Sequence, residues 1–426
     1  MNAPLPWLAP YRDAPIIGEV LVPGSKSQTN RALILAALGD GPSVLTRPLR
    51  SRDTTLMADA LVALGATIER EGMVWTITPA ALDHTAVATV DCGLAGTVMR
   101  FVPAVAALTS ADVTFDGDEH ARVRPMATTI SALRGLGVAI DDEGRGSLPF
   151  VVHGSGSVAG GPLEIDASAS SQFVSALLLA GARFDKGLEL QHVGAPLPSM
   201  PHIEMTVNEL RKRGVEVDDS QPDRWVVAPG PIAALDDEIE PDLSNAGVFI
   251  AAALVTGGSI RIRNWPEQTD QAGDAWRTIV KAFGATALRD GADLVFTAGP
   301  VLKGVELDLH DVGELTPVVA AMAALAEEPS RLTGVAHLRG HETDRLAALV
   351  TEINRLGGDA VELEDGIAIR PRLLHAETFK TYDDHRMAHA AVVLGLRVEG
   401  LMVENVVTTV KTYPNFAPVW ERLITS

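Results

Sequence analysis

The residues best placed to do chemistry stand in one run, Pro23-Gly24-Ser25-Lys26-Ser27-Gln28-Thr29-Asn30-Arg31. A strand-like stretch, residues 16–22, leads into it, and a helix-like stretch, residues 32–38, leads out. Serines and Thr29 suit a first helical turn, whose early N–H groups have no partner inside the helix. A helix N-terminus with a Lys beside it is a ready anion site. Ser27 and Arg31, four apart, share a helix face. Two cations and several hydroxyls within nine residues point to an oxyanion ligand, a phosphate or a carboxylate. A Walker loop needs Gly directly before its Lys, and here Ser25 separates Gly24 from Lys26, so a nucleoside triphosphate is not implied. Taken alone, the run is equally compatible with a capped surface helix.

Further polar clusters follow. Asp91-Cys92-Gly93-Leu94-Ala95-Gly96-Thr97-Val98-Met99-Arg100 has small residues that allow close backbone approach to a ligand. Arg122-Val123-Arg124-Pro125 is a basic pair ahead of a helix that Pro125 could start. Ser168-Ala169-Ser170-Ser171-Gln172 has more hydroxyls than one cap needs, and Ser199 lies in a Pro-rich turn. Glu314 opens an apolar helix. His341-Glu342-Thr343-Asp344-Arg345 and Asp384-His385-Arg386 each precede a helix, and Lys411-Thr412 ends the series. Together Lys26, Arg124, Arg345, Arg386 and Lys411 supply cations for a highly anionic substrate set. Glu314 and Glu342 supply two carboxylates for proton transfer. His385 and His389 lack the Glu neighbour of a metalloprotease helix, and no other spacing suggests a metal set.

These clusters need elements to hold them, and the chain has a period. Apolar helix-like runs end at Leu38, Leu108, Leu179, Leu254, Leu325 and Leu394, spaced by 70, 71, 75, 71 and 69 residues. Helices closed by a Gly before a strand pair are expected at Gly65, Gly137, Gly214, Gly284 and Gly357. A period near 70, six times over, means six similar α/β units, each of two helices and three or four short strands. The best boundary lies near Glu240-Pro241-Asp242, splitting the units three and three.

Composition narrows the function classes. The chain has 426 residues, so two domains are expected. Aromatics are only 4%, which leaves few stacking platforms for nucleic acid. The net charge of −20 opposes nucleic acid and anionic membranes, and means that any anion site is built locally against the overall field. One cysteine, Cys92, permits neither an internal disulfide nor a Cys-based metal cluster. The N-terminal residues lack the pattern of a signal peptide, and no apolar run approaches the roughly 18 residues of a membrane helix. A cytoplasmic protein is expected.

In this order, Pro23-Gly24-Ser25-Lys26-Ser27 with Asn30-Arg31, Ala95-Gly96-Thr97, Arg124-Pro125, Ser170-Ser171-Gln172, Glu342-Thr343-Asp344-Arg345-Leu346, Asp384-His385-Arg386-Met387 and Lys411-Thr412 resemble the 5-enolpyruvylshikimate-3-phosphate synthase family over nearly the whole chain. The resemblance implies an α/β fold of two similar domains, each of three βαβαββ units around buried parallel helices. It implies that residues 24–241 form the domain mainly for shikimate 3-phosphate, and residues 1–23 with 242–426 the other, carrying the catalytic acids and part of the phosphoenolpyruvate clamp. Ligands are expected to bind in the cleft and close the halves. The implied reaction transfers the enolpyruvyl group of phosphoenolpyruvate to the 5-hydroxyl of shikimate 3-phosphate through a tetrahedral intermediate. It needs no metal or organic cofactor, and a monomer is expected. Carried over, Lys26, Ser27, Arg31, Ser170, Ser171, Gln172, Ser199, Glu314 and His341 look like shikimate 3-phosphate ligands. Lys26, Gly96, Arg124, Gln172, Arg345, Arg386 and Lys411 look like phosphoenolpyruvate ligands. Glu314, Glu342 and Lys26 are the catalytic candidates. The family is the target of glyphosate, which competes with phosphoenolpyruvate.

Several positions depart from the family pattern. Glu314 stands where Asp is usual, His341 where Lys is common, His337 where Asn is frequent, His202 where Tyr occurs, Leu94 where Asn is frequent and Phe101 where Pro is frequent. The alternative is the sister transferase acting on UDP-N-acetylglucosamine, whose members carry a reactive Cys in the loop where Arg122-Val123-Arg124-Pro125 lies here. Cys92 is too far upstream for that role and reads as a small buried apolar residue.

Overall fold

A computed structural model describes residues 5–79 and 85–425, so the first four residues of the N-terminal stretch read for a signal peptide lie outside the described residues. By contacts the chain forms two compact units, residues 24–239 and residues 1–23 with 240–426.

The unit of residues 24–239 holds three four-stranded sheets of one design. In the second, Ala88–Asp91 pairs parallel with Asp112–Asp116, which pairs antiparallel with Phe150–His153, and Ala139–Asp141 completes the edge. Gly161–Ile165, Leu188–His192, Arg224–Val227 and Val217–Asp218 repeat the order. In the first sheet, Asp237–Glu238 supplies the parallel strand beside Ser43–Thr46, with Val74–Thr78 and Thr67–Glu71 following. Alternate side chains such as Trp75 and Ile77 turn inward, as the period of two requires.

Each repeat contributes two helices of different character. Gly96–Ala106 and Gln172–Gly181 are apolar around most of their circumference and almost wholly buried, because a helix without a polar stripe has no face to offer water. Lys26–Ala37 is buried as well, its second half apolar and its polar first half held by hydrogen bonds such as that from Asn30 to Thr97. Arg52–Ala63, Ala127–Gly135 and Pro201–Lys212 bury one side only. Full burial of each Leu or Ile in the first set contributes roughly 1.5–3 kcal/mol.

The unit of residues 1–23 and 240–426 follows the same plan. Ile17–Val20 pairs parallel with Ser259–Ile262, followed by Asp293–Thr297 and Thr286–Asp290. Glu306–Asp308, Ser330–Thr333, Ile367–Arg370 and Asp359–Glu362 form the next sheet. The last has three strands, Thr378–Phe379, Met402–Val403 and, from the other end of the chain, Trp7–Leu8. Leu243–Thr256, Thr316–Ala324 and His385–Gly395 are its buried helices.

The five glycines expected to close helices all take positive φ, from 76° at Gly214 to 100° at Gly65, the left-handed cap that spares a Cβ clash. One expectation needs correcting. Pro125 does not start a helix: the helix begins at Ala127 with Met126 as its cap. Arg122 instead ends a one-turn helix, Glu119–Arg122, and is forked onto Asp116 at 2.7 and 2.9 Å.

Candidate active site

In the unit of residues 24–239, Lys26 is the first residue of its helix, and Ser25 caps it by accepting from the Gln28 N–H at 3.4 Å. The backbone passes so near residue 47 at Gly24 that a Cβ there would lie 2.3 Å from the Arg47 carbonyl oxygen. Lys26 Nζ pairs with the buried Asp53 carboxylate at 3.3 Å. Ser27 is half-buried beside it. Arg31 is 2% exposed, and its guanidinium donates to Thr206 Oγ1 (2.7 Å), the Ser27 carbonyl (3.0 Å), Ser175 Oγ (3.3 Å) and the His202 carbonyl (2.9 Å). It also stacks on Phe101, 5.4 Å from the ring centre. Arg31 thus braces three helices from inside.

The next two buried helices bring a second group together. Asn30 donates to Thr97 Oγ1 at 2.7 Å, tying the first helix to the second. A Cβ at Gly96 would lie 3.0 and 3.1 Å from the two terminal nitrogens of Arg124, and 3.3 Å from Gln172 Oε1. Arg100, one turn on from Gly96, donates to Ser170 Oγ (3.2 Å) and Gln172 Oε1 (3.0 Å). Ser171 is buried and its side chain does not cap the helix that follows. Ser168 bonds to Asp166 and to the Ala195 carbonyl, so it shapes the loop. Ser199 has φ +56°, a strained setting of the kind that clusters where a fold holds a side chain for use.

The unit of residues 1–23 and 240–426 supplies carboxylates set among cations. Glu314 lies in the 3-10 turn His310–Leu315 just before the buried helix Thr316–Ala324. Ser244 Oγ donates to Glu314 Oε1 at 3.3 Å, and Arg386 donates to the Ser244 carbonyl at 3.2 Å. Glu342 accepts from Lys411 Nζ at 2.5 Å and from Arg345 at 2.8 Å. Burial alone would raise the Glu342 carboxyl, but Lys411, His385 and Arg345 outweigh it and hold it well below the usual carboxylate range. Arg345 also forks onto Asp384 at 2.8 and 3.2 Å, while Asp384 caps its own helix through the Arg386 N–H. Burial pushes the Asp384 carboxyl up, against the downward pull of this Arg345 fork.

Histidines line the same region. His310, His337 and His341 stand in a row with ring centres 6.1 and 5.8 Å apart. Burial and His310 push His337 down to about 4, against a pull upward from Glu314. Arg345 Nη1 lies 3.0 Å from His341 Nδ1. A guanidinium can only donate, so Nδ1 is the acceptor and His341 is in its neutral Nε2–H form.

Glu342, Asp384 and His385 bring three potential metal-ligand atoms within 4.8 Å of one another. Arg345 and Lys411 already engage both carboxylates, so the donor set is a salt-bridge network in which a dication would meet two protein cations. Cys92 is fully buried, and burial pushes its thiol up, as for an inert core residue.

The structure therefore brings Gly96, Arg124, Ser170 and Gln172 together in one unit, and Glu342, Arg345, Asp384 and Lys411 together in the other. Lys26 stands on Asp53, and Glu314 on Ser244. Sequence reasoning missed Asp53, Arg100 and Ser244. The only signal was position: Arg100 is four residues beyond Gly96, and Ser244 is in the first turn after Asp242, which caps its helix.

Comparison with known proteins gives a consistent picture. Residues 11–420 match the family model described as EPSP synthase (3-phosphoshikimate 1-carboxyvinyltransferase). A relative from Kocuria rhizophila, a 3-phosphoshikimate 1-carboxyvinyltransferase, is 54% identical, with the match covering 99% of this chain and 97% of its own. Two solved structures of EPSP synthase from Acinetobacter baumannii share the fold. One has a TM-score of 0.80 at 22% identity over 97% of each chain; the other has 0.78 at 23% identity over 98% of this chain and 97% of that one.

Proposed function

The chain belongs to the EPSP synthase family, and from that premise we propose how its residues divide the work of 3-phosphoshikimate 1-carboxyvinyl transfer. The reaction moves the enolpyruvyl group of phosphoenolpyruvate to the 5-hydroxyl of shikimate 3-phosphate and releases phosphate, a step of aromatic biosynthesis. The family match sets aside the UDP-N-acetylglucosamine alternative.

In this proposal Ser27, Ser170, Ser171, Gln172 and Ser199 hold shikimate 3-phosphate with Lys26, and His341 adds its Nε2–H. Arg31 reaches the same ligand only through whatever donor capacity its bracing contacts leave. Gly96, Arg124, Gln172, Arg345, Arg386 and Lys411 hold phosphoenolpyruvate, with Lys26 shared. Residues 24–241 take mainly shikimate 3-phosphate, and residues 1–23 with 242–426 supply the acids. Arginine suits both ligands because its planar fork matches carboxylate and phosphate oxygens.

Protonation of phosphoenolpyruvate at C3 makes C2 electrophilic, and the 5-hydroxyl attacks C2 as Glu314 takes its proton. Loss of a methyl proton then expels phosphate. Glu342 is the second acid/base. Substrate oxygens competing for Lys411 and Arg345 weaken the pull that keeps Glu342 ionised, so its proton affinity rises as the clamp fills. The observation that carries this reading is a carboxylate, Glu342, lodged between two clamp cations. The enzyme works without a cofactor, as a monomer and in the cytoplasm; among the described residues no helix is long and apolar enough to cross a membrane.

The test is phosphate release from phosphoenolpyruvate with each acceptor separately. Release is expected with shikimate 3-phosphate and not with UDP-N-acetylglucosamine. The reverse preference, or no release with either, would overturn the reading.

A further inference from the structure

Arg100 is 4% exposed, and its guanidinium lies 4.8 Å over the Phe173 ring. Ring and helix hold it in place, and Nη1 spends its two hydrogens on Ser170 Oγ at 3.2 Å and Gln172 Oε1 at 3.0 Å. Ser170 Oγ also accepts from the Gln172 backbone N–H at 3.3 Å.

Hydrogen-bond polarity then follows by elimination. A guanidinium has donors and no acceptor, so the Gln172 atom facing it must be the amide oxygen. That fixes the flip of the amide and leaves its NH2 group, two donors, pointing elsewhere. Ser170 Oγ has two lone pairs, and Arg100 and the Gln172 N–H occupy both. Its hydroxyl hydrogen is the only hydrogen-bonding capacity it has left, and that can only be given. Both side chains are half-buried, so each keeps a face toward solvent. Two residues that could each accept or donate are thereby set as donors, the polarity an anion requires.

We propose that Arg100 is a positioning residue that fixes Ser170 and Gln172 as hydrogen-bond donors toward an anionic substrate. This rests on the reading above, in which these two side chains bind shikimate 3-phosphate and phosphoenolpyruvate. Arg100 touches neither ligand in this account; it acts through its neighbours. Without it the Gln172 amide is free to turn its oxygen outward, and Ser170 regains a lone pair that an anion repels.

The test is a mutant cycle read in KM and kcat for both substrates. Arg100→Met should raise KM for shikimate 3-phosphate on the order of tenfold, the worth of a hydrogen bond to a charged group, with a smaller change in kcat. In a Ser170→Ala/Gln172→Ala background the same substitution should change KM less than about twofold, because the groups it orients are gone. Arg100→Lys, which keeps a cation with several hydrogens, should retain most of the wild-type KM and serves also if the Met variant folds poorly. Equal KM effects of Arg100→Met in the two backgrounds would overturn the proposal, because a structural role multiplies through unchanged. So would an unaltered KM in the single variant. A wild-type enzyme with no turnover would instead sink the functional reading, and the proposal with it.

Discussion

Lys411 Nζ lies 2.5 Å from Glu342 Oε1, so one cation of the proposed substrate clamp is held by a carboxylate of the same unit. Arg345 is shared likewise between Glu342 and Asp384. These pairings neutralise Arg345 and Lys411 from within, which lets both cations stay buried. In the proposed binding mode, substrate exchanges one set of anionic oxygens for another.

Glu342→Gln separates charge balance from chemistry. The amide keeps the shape but cannot carry a proton, so kcat should fall about 10²- to 10⁴-fold, the usual worth of general acid–base catalysis. KM for phosphoenolpyruvate should stay level or drop, because Lys411 and Arg345 lose a competing carboxylate. A kcat within tenfold of wild type would remove Glu342 from proton transfer.

Lys26→Ala should abolish turnover through loss of a charge shared by both substrates. The Asp53 contact adds a second effect. Asp53 is 2% exposed and Lys26 is its ion-pair partner, so the variant should lose about 1–3 kcal/mol of stability. Adding Asp53→Asn should return much of that stability and none of the activity. Urea titration and a phosphate-release assay report the two effects separately; recovery of activity in the double variant would show that Lys26 serves only to neutralise Asp53.

The repeat was legible because it is written in apolar periodicity. Helix ends read at Leu38, Leu179 and Leu394 fall within two residues of the observed last residues, Ala37, Gly181 and Gly395. The closing glycines were legible because a left-handed residue has a chemical signature. Trp7–Leu8 and Asp237–Glu238 were not: two-residue strands carry no period, and their partners lie hundreds of residues away. The same holds in the site. Lys26 and Arg386 stand out as cations beside helix starts, whereas Arg100, Ser244 and Asp53 look like ordinary first-turn or mid-helix polar residues until tertiary packing sets them against Gln172, Glu314 and Lys26.

His337 gives a pH signature. It faces His310, Glu314, His341 and Arg345, and its folded value is about 4 against about 6.5 for an unperturbed histidine. Between these values the unfolded chain binds more protons than the native one, so stability is full above about 6.5 and is lost as pH falls toward 4. From pH 7 to pH 5 this site should remove about 2 kcal/mol. His337→Asn, which does not titrate, should show a correspondingly shallower acid loss in denaturant titrations at the two pH values. Parallel losses in wild type and variant would place the histidine's proton elsewhere.

Gly96 carries the last prediction. A methyl there would meet Arg124 at 3.0 and 3.1 Å and Gln172 Oε1 at 3.3 Å, tighter than ordinary van der Waals contact. Arg124 ends in a guanidinium that can shift by a few tenths of an ångström, so Gly96→Ala should fold normally. The shift displaces a proposed phosphoenolpyruvate donor, and KM for phosphoenolpyruvate should rise several-fold, in line with about 1 kcal/mol lost from one charge-assisted contact. Glyphosate is longer than phosphoenolpyruvate and would draw on the same cations, so the methyl crowds it more. Wild type is expected to be glyphosate-sensitive and Gly96→Ala tolerant, with the inhibition constant rising more than KM. Phe101 bears on this because it lies on the same helix and packs under Arg31 at 5.4 Å, fixing the helix that presents Gly96 and Thr97. Inhibition should be compared at equal phosphoenolpyruvate saturation. Equal inhibition of the two proteins, or a resistant wild type, would mean that the space beside Gly96 does not decide between substrate and inhibitor.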